Sequence, residues 1–225
     1  MRIGFDAKRY FLNSSGLGNY SRDLVRILET NYPDNTYIKY TPKVKDKFAI
    51  TDNQSATIKL PQSNFGRMFP SLWRRKGIVN DLKRDQIDIF HGLSGEIPLG
   101  LAKANVKSVV SIHDLIFLKF PELYKKIDRN IYNSKFKHAV NNADQIVAIS
   151  EQTKTDIVDY YAIPQENITV IYQGCHPSFK QEKTQKDKAE IRQKYKLPSN
   201  FLLNVGSIEP RKNALQIVKA ITNID

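Results

Sequence analysis

Short apolar segments alternate with helical segments along most of this chain, and the alternation limits its fold more than any other feature. Such an order is typical of a parallel β-sheet covered by helices on both faces. The predicted strands are Met1–Phe5, Thr36–Tyr40, Ala56–Lys59, Asp88–His91, Ser108–His113, Gln145–Ile149 and Ile168–Tyr172. The sequence therefore predicts an α/β protein with a Rossmann-like parallel sheet.

Helical spacing of apolar residues predicts the segments that connect these strands. Gly16–Thr30 shows this spacing, and Ser150 is a suitable N-cap for a helix that Pro164 closes. The other predicted helices are Arg67–Arg84 and Pro121–Asn142. Parallel strands need crossover connections of this kind.

The character of the chain changes after residue 180. Gln181–Lys196 is polar and is interpreted as a solvated helix or linker, whereas Phe201–Gly206 predicts a new strand and Lys212 begins a new helix. One strand and one helix cannot bury a core. We therefore expect the beginning of a second domain whose remainder is absent. The predicted divisions are a domain over 1–180, a linker or hinge over 181–199 and the truncated domain over 200–225.

Charge and cysteine content narrow the class of protein. The net charge of +12 favours polyanionic partners such as nucleic acid, anionic lipid headgroups or phosphate-bearing small molecules. Nucleic acid is the least favoured of these, because the basic residues are dispersed and no zinc, RNP or helix-turn-helix signature occurs. With one cysteine, no secretory signal and no apolar run of ~20 residues, a cytoplasmic location is expected, in solution or on the inner face of the membrane.

A glycine-rich loop, residues 14–19, leads into the first long predicted helix. Backbone amides at a helix N-terminus suit phosphate, and Gly16, Leu17 and Gly18 allow a close approach. The alternative is a flexible loop before an ordinary helix. A dinucleotide-binding fingerprint fits poorly, because Ser21 occupies its third glycine position.

Polar residues at the carboxyl ends of the predicted strands are further candidates, because parallel α/β sheets bind ligands at that edge. His113 and Asp114 end one buried strand, and His91 ends its predicted neighbour. A histidine there can bind a sugar hydroxyl or act in acid–base chemistry. The alternative is a structural histidine that is bonded to a backbone carbonyl. The remaining candidates at this edge are Asp6, Ser150 and Glu151.

Adjacent cations follow the strand predicted in the second domain. Arg211 and Lys212 come shortly after Gly206, at the start of a helix. An arginine fork and a lysine point charge suit a diphosphate, whereas the alternative is a pair of exposed surface cations. No metal-ligating cluster is predicted in the sequence.

Several segments together resemble the retaining nucleotide-sugar glycosyltransferases of the GT-B fold, specifically glycosyltransferase family 4. The resemblance covers essentially the whole chain, and ADQIVAISE with VGSIEPRKN forms its most specific pair. The other segments are GLGNYSRDL, DIFHGLSGEIPL, SVVSIHDL and ITVIYQGCHPSF. The resemblance implies two Rossmann-like domains, the first holding a saccharide or lipid-linked acceptor and the second a nucleotide sugar. It implies glycosyl transfer with retention, mannosyl transfer included, in cell-surface polysaccharide synthesis, with neither metal nor cofactor.

The resemblance also implies roles for individual residues. Arg211 and Lys212 would hold the donor diphosphate together with the Gly16–Gly18 loop, and His113 would lie near the transferred sugar as the catalytic residue. Acceptor or sugar contacts would come from Asn19, His91, Asp114, Ser150 and Glu151. Ser207 stands where many relatives carry a cation, and the family's paired glutamates and base pocket lie beyond Asp225. We therefore expect this polypeptide alone to be inactive, with its donor and acceptor unassigned.

Two alternatives stay open. The basic and aromatic residues of Arg67–Arg84, with Phe65, could lie on an anionic membrane, although a core-facing stripe with a charged outer face is the favoured explanation. The other alternative is a non-catalytic module that binds phosphate ligands or nucleic acid through the same glycine-rich loop.

Overall fold

The computed structural model describes residues 1–45 and 57–222, without the side chain of Arg211. It divides into two compact units, Met1–Gly174 and Cys175–Asp225. We call them the first and second units. The predicted domain boundaries near residues 180 and 200 stay predictions.

The first unit contains a seven-stranded sheet in which every neighbouring pair is parallel, which confirms the predicted fold class. The strands are β1 Arg2–Asp6, β2 Thr36–Tyr40, β3 Thr57–Lys59, β4 Ile89–Gly92, β5 Lys107–Ile112, β6 Gln145–Ala148 and β7 Ile168–Val170. Their spatial order is β3-β2-β1-β4-β5-β6-β7. The seven predicted strands of this region are confirmed with small shifts of their ends, and Ala56 lies outside the described residues.

Two apolar clusters cover the two faces of the sheet, because successive side chains of a strand point to opposite sides. Tyr37 belongs to the smaller cluster and the adjacent Ile38 to the larger one. Phe90 and Val110 extend the larger cluster across the central strands and are almost completely buried. Burial on both faces explains why these strands are continuously apolar in sequence.

The helices of the first unit follow the prediction less closely than the strands do. They are α1 Lys8–Leu12, α2 Gly16–Asn31, α3 Asn64–Met68, α4 Pro70–Leu72, a π-helical turn Trp73–Gly77, α5 Ile78–Arg84, α6 Ile116–Lys119, α7 Lys126–Asn142 and α8 Glu151–Tyr161. The prediction of α2 is confirmed to within one residue at its end, and α8 begins after Ser150 as expected. The short helices α1 and α6 were not predicted.

Prolines explain both errors in the helix predictions. The single helix predicted over Arg67–Arg84 is wrong, because the chain breaks at Phe69 and restarts at Pro70. Proline lacks the N–H that would continue the ladder and disfavours helical geometry in the residue before it. The segment after Pro121 is likewise a 3-10 turn, Pro121–Leu123, and α7 begins only at Lys126.

The second unit contains α9 Gln185–Tyr195 and α10 Ala214–Ile221. Thr184 starts α9 with a capping box, in which its hydroxyl accepts from the Asp187 amide and the Asp187 carboxylate accepts from the Thr184 amide. The predicted helix over Gln181–Lys196 is confirmed in a shorter form. The predicted strand over Phe201–Gly206 is wrong, because no described segment pairs with it. The helix predicted from Lys212 onward begins at Ala214, and residues 223–225 lie outside the described residues.

Throughout the described residues, the helices are too short or too polar to span a lipid bilayer.

Candidate functional site

The carboxyl edge of the sheet gathers most of the residues predicted for the site. His91 lies in β4, and His113 and Asp114 follow β5, the next strand in the sheet. Ser150 and Glu151 follow β6 on the far side of β5. The parallel arrangement therefore places all five at one edge of the first unit.

His113 is held at both ring nitrogens. Its Nε2 lies 2.9 Å from the carbonyl oxygen of Leu93, which can only accept, so Nε2 carries a proton and donates. Its Nδ1 accepts from Nε2 of Gln173 at 3.1 Å, on the exposed side of the ring. Burial lowers the pKa of His113, although the Leu93 carbonyl and Asp114 act in the opposite direction. His113 is thus a neutral imidazole whose outward nitrogen is a hydrogen-bond acceptor.

A chain of polar groups lies beneath His113. The Ser111 hydroxyl is 2.8 Å from the Tyr20 hydroxyl and 2.9 Å from His91 Nε2, within hydrogen-bonding distance of both. The Tyr20 ring meets the His113 ring edge-on, with 4.5 Å between centroids. Burial, with a smaller contribution from His113, lowers the pKa of His91 to about 4. The structure therefore engages His91 with a serine hydroxyl, whereas the bond to a backbone carbonyl that the structural alternative expects is made by His113.

The glycine-rich loop forms a compact start to α2. Ser15 is the N-cap residue without a side-chain cap bond, and its carbonyl oxygen accepts from the amides of Gly18 and Asn19. Gly18 is buried, and a Cβ at this position would collide with the Asn13 carbonyl group. Gly16 instead has open space around it. The exposed helix tip is consequently formed by Gly16, and Gly18 is required for packing.

The side chains of Arg22 and Ser150 tie neighbouring site residues to the scaffold. Arg22 donates to the side-chain oxygen of Asn19 at 2.7 Å and to two backbone carbonyls. Ser150 caps α8 by accepting from the Thr153 amide at 3.1 Å. The Thr153 hydroxyl donates to the carbonyl oxygen of His113, so the start of α8 helps to fix that residue.

The two acidic candidates at this edge are exposed. Asp114 accepts from the backbone amide of Ile116, the first residue of α6, at 3.3 Å. Glu151 is the first residue of α8, where a carboxylate complements the helix dipole. Their carboxylates are accessible to a ligand, but no side chain predicted for the site contacts them in the described part of the chain.

A partly buried ion-pair cluster at the ends of β1 and β4 was not predicted, apart from Asp6. Arg74 donates to Asp6 at 2.5 Å and to Glu96 at 3.3 Å, and Lys135 lies 3.1 Å from Glu96. Burial lowers the pKa of Arg74, but the two carboxylates more than offset this, so its pKa is raised overall. Arg74 therefore belongs to the interior and not to the membrane-facing stripe suggested by the sequence. Trp73, 3% exposed, is excluded from that stripe for the same reason.

A cavity of about 300 Å³ lies beside this cluster. It is bounded by the segment 71–78, the loop after β4 and one side of α7, all within the first unit. Its wall combines apolar side chains such as Leu72, Ile97 and Leu99 with the charged groups of the cluster. A concave shape and a mainly apolar wall with a few polar groups are typical of small-molecule sites, and the volume is at the lower end of their range.

The predicted phosphate-binding cations lie in the second unit. Pro210–Lys212 forms a 3-10 turn, and Asn213, in the left-handed conformation, separates it from α10. The Lys212 amide donates to the Glu209 carbonyl oxygen, and the Lys212 side chain is exposed. That Arg211 and Lys212 act together with the glycine-rich loop of the first unit stays a prediction.

The site residues that sequence reasoning missed lie in a strand, shortly after a strand and in the middle of a helix. Ser111 is a polar residue inside the apolar run of β5, and this interruption could have identified it as a candidate site residue. Gln173 follows β7 at the same sheet edge, so the strand-end rule that selected His113 applied to it as well. Lys135 and His138 of α7 gave no such signal, because only tertiary packing turns them towards the cavity.

The chain is similar in sequence and in fold to known proteins. The chain is 30% identical over 139 residues to the serotype-specific mannosyltransferase WbdA of Escherichia coli, a match that covers 60% of this chain and 17% of WbdA. Among solved structures, HepE of Anabaena in complex with UDP-glucose has a TM-score of 0.71 at 15% identity, and WaaG, a glycosyltransferase involved in lipopolysaccharide biosynthesis, has a TM-score of 0.64 at 18% identity. All of this chain is covered in both superpositions, with 58% of HepE and 60% of WaaG.

The two likenesses to solved structures establish the fold, and a sequence profile establishes the family. The profile for Glycosyltransferase Family 4 matches residues 14–179, from the glycine-rich loop to the end of the 3-10 turn that follows β7. This is well over half of the chain, and it includes His91, His113 and Ser150. By this match the chain belongs to Glycosyltransferase Family 4.

Proposed function

We propose that this protein transfers a sugar from a nucleoside-diphosphate sugar to a saccharide or lipid-linked acceptor, with retention at the anomeric carbon, in the synthesis of cell-surface polysaccharide. The observation that carries the proposal is the family match over residues 14–179. The chain spans about a sixth of the curated relative WbdA and about three fifths of the similar solved structures. Those proteins include a mannosyltransferase and a glycosyltransferase-fold protein in complex with UDP-glucose, which supports a nucleotide-sugar donor.

The donor diphosphate would be held from two places. The exposed helix tip at Gly16 offers backbone amides without a side-chain cap, and Arg211 with Lys212 supplies positive charge. Fixed charges of this kind stabilise the leaving diphosphate as the glycosidic bond breaks, and the diphosphate can take the proton of the acceptor hydroxyl. The proposal includes neither a metal ion nor an organic cofactor.

His113 would recognise the transferred sugar through its outward nitrogen. Because the Leu93 carbonyl fixes the proton on Nε2, a sugar hydroxyl that replaces Gln173 can donate to Nδ1. In this arrangement His113 orients the sugar and does not serve as an acid. Asn19, His91, Asp114, Ser150 and Glu151 remain proposed contacts to sugar or acceptor, the acceptor lying on the first unit.

The diphosphate assignment is tested by titration calorimetry with UDP and GDP. We expect Arg211→Gln/Lys212→Gln to weaken binding at least ~10-fold, because two charge-assisted contacts are lost. Lys186→Gln/Lys188→Gln on α9 removes the same charge from exposed positions of the same unit and should change affinity little. Equal loss in both double variants would mean that net charge alone attracts the nucleotide.

The role of His113 is tested with UDP-glucose and GDP-mannose against UDP and GDP. His113→Ala should weaken binding of the nucleotide sugars and leave the free nucleotides unaffected, since only the sugar contacts this side chain. Gln173→Ala serves as the companion variant, because it frees Nδ1 without removing it. A parallel loss for sugar-bearing and sugar-free nucleotides would contradict the assignment.

We also propose that the protein binds an anionic membrane on its cytoplasmic face. The supporting surface, here named the apolar patch, consists of Phe65, Met68, Phe69 and Leu72, which are between 43% and 71% exposed. Exposed basic residues flank it, namely Arg67, Arg75 and Lys76. Apolar side chains among cations suit an interface with anionic headgroups. The single cysteine of the sequence is consistent with a reducing compartment.

Vesicle co-sedimentation tests the membrane proposal. We expect Phe65→Ser/Phe69→Ser to release the protein from vesicles of phosphatidylcholine with phosphatidylglycerol. Ile127→Ser, which changes a 74% exposed residue on α7, should not. Binding that is equal with and without the anionic lipid would remove the proposal.

A non-catalytic phosphate-binding or nucleic-acid-binding module is the second candidate from the sequence. Membership of Glycosyltransferase Family 4 favours the enzyme instead.

A further inference from the structure

The cavity beside Arg74 has a polar wall whose acidic groups are already satisfied. Asp6 accepts from Arg74, and Glu96 is paired with both Arg74 and Lys135. Two carboxylates and two cations therefore balance within the cluster. Ligand binding consequently depends on the remaining polar groups of the wall.

His138 supplies one group without a partner. The side-chain nitrogen of Asn142 donates to the carbonyl oxygen of His138 at 2.8 Å and lies 3.2 Å from its Nδ1, so the amide orientation is fixed and Nδ1 accepts. With Nδ1 as the acceptor, Nε2 carries the ring proton. That atom is buried and has no hydrogen-bond partner among the described residues. Buried polar groups in proteins almost always have a partner, and His138 is one of the residues that line the cavity, so a ligand bound there is a source of the missing acceptor.

Arg75 supplies a second group. Its backbone carbonyl accepts from the Leu99 amide at 2.8 Å, which fixes the residue at the rim of the cavity. Its guanidinium is exposed and forms no ion pair within residues 1–45 and 57–222. Both unpartnered nitrogen groups of the wall are thus donors, and one is always positively charged.

The rest of the wall is suited to a sugar-sized ligand. Leu72, Ile97 and Pro98 offer aliphatic surface, against which the C–H face of a pyranose can pack. The hydroxyls of Ser71 and Ser134 are also in the lining and can bond to ring hydroxyls. Apolar surface with a few convergent polar groups is the usual composition of a ligand site.

We infer that this cavity binds a sugar that carries an oxyanion, a carboxylate or a phosphate, which accepts from His138 Nε2 and the Arg75 guanidinium. The inference rests on the proposed function in one respect, that the bound sugar is the acceptor. It gives that acceptor a chemical class, an acidic saccharide, which neither the family match nor the compared proteins specify.

Binding is measured on the 225-residue chain by calorimetry without any nucleotide present. The probes are D-glucuronate, glucose 6-phosphate, neutral D-glucose and inorganic phosphate. We expect at least one of the two acidic sugars to bind ten times or more tightly than glucose. The tighter of glucuronate and glucose 6-phosphate identifies the carboxylate or the phosphate. Equal affinity for glucose and both acidic sugars would overturn the inference, as would inorganic phosphate binding as tightly as glucose 6-phosphate.

Variants locate the site. Arg75→Gln and His138→Leu should each weaken binding of the acidic sugar about tenfold and leave glucose unaffected, whereas Lys76→Gln removes a neighbouring exposed cation as the matched control and should have no effect. The ¹⁵N shift of His138 Nε2 should move on addition of the acidic sugar to the unaltered protein, a readout that needs no variant to fold. An unmoved shift, or equal losses for Arg75→Gln and Lys76→Gln, would contradict the assignment. Nucleotide binding through Arg211 and Lys212 is measured separately, so failure here leaves the proposed function standing.

Discussion

Two apolar segments with nearly the same sequence character behave differently in the two units. In β5 of the first unit, Val110 and Ile112 are completely buried between β4 and β6. In residues 201–206 of the second unit, Leu202 and Val205 are 73% and 84% exposed, and the segment is not a strand. Both segments are short, apolar and followed by polar residues at a turn.

The difference shows that apolar character alone does not make a strand. Val110 has a ladder partner on each side, Gly92 in β4 and Ile146 in β6, which satisfy its backbone and cover its side chain. No described residue pairs with the backbone of Leu202 in a ladder, and its side chain is left largely exposed. A strand of a parallel sheet is therefore a property of its neighbours as much as of its own residues.

The largest expected effect concerns side-chain truncation in each unit. Phe90→Ala should lower the free energy of unfolding by about 3–5 kcal/mol, because Phe90 is 1% exposed in the central strand β4. Leu203→Ala removes a side chain that is 76% exposed, and should change stability by less than about 0.5 kcal/mol. Urea denaturation followed by circular dichroism measures both. A comparable loss for Leu203 would show that the second unit buries more in solution than the structure indicates.

An intermediate effect is expected from pH. His91 has its pKa lowered to about 4 by burial and by His113, whereas an unfolded histidine has a pKa near ~6.5. Between these values the unfolded chain binds the additional proton, so stability rises with pH across this window. The contribution of His91 to the free energy of unfolding is fully present above pH ~6.5 and falls by up to about 3 kcal/mol as the pH approaches ~4.

His91→Gln should flatten the acid side of the stability profile, measured by urea denaturation at pH 4.5 to 7 in steps of about half a unit, a range set by the two pKa values above. His176→Gln, which changes an exposed histidine of the second unit, is the matched control. Unchanged slopes in the His91 variant would show that other groups dominate the acid response.

The smallest expected effect concerns the helix caps. Ser150→Ala and Thr184→Ala each remove a side-chain oxygen that accepts from a first-turn amide, at a cost of about 1 kcal/mol. In the first unit the loss should appear in global unfolding, because α8 is packed on the sheet through Ile157. In the second unit it should appear only as faster hydrogen exchange within α9, none of whose residues is buried. Global destabilisation by Thr184→Ala would contradict this division.

Much of the fold follows from local sequence in the first unit. Alternating apolar strands and helices predict all seven strands, because each strand is buried on both faces and is therefore apolar throughout. The break at Pro70 was readable from the proline itself. The absence of a strand at residues 201–206 could not be predicted from the local sequence, because strand formation depends on which segments lie alongside.

The candidate site was predictable only in part. The strand-end rule selected His113 and His91, but it could not tell that Ser111 would engage His91 or that Leu93 would fix the proton of His113, because both partners are distant in sequence. The cavity was not predictable at all. It depends on the contacts of Arg74, Glu96 and Lys135, which come from three separate segments of the chain. From their charge alone, these residues would be predicted to lie on the surface.

Cys175 is the only cysteine of the sequence, it is exposed, and it is the first residue of the second unit. A thiol-reactive fluorophore or spin label would therefore attach at a single native position, without any prior removal of other thiols. Its signal would report on the surroundings of Cys175 as nucleotide or sugar is added, using the unaltered chain.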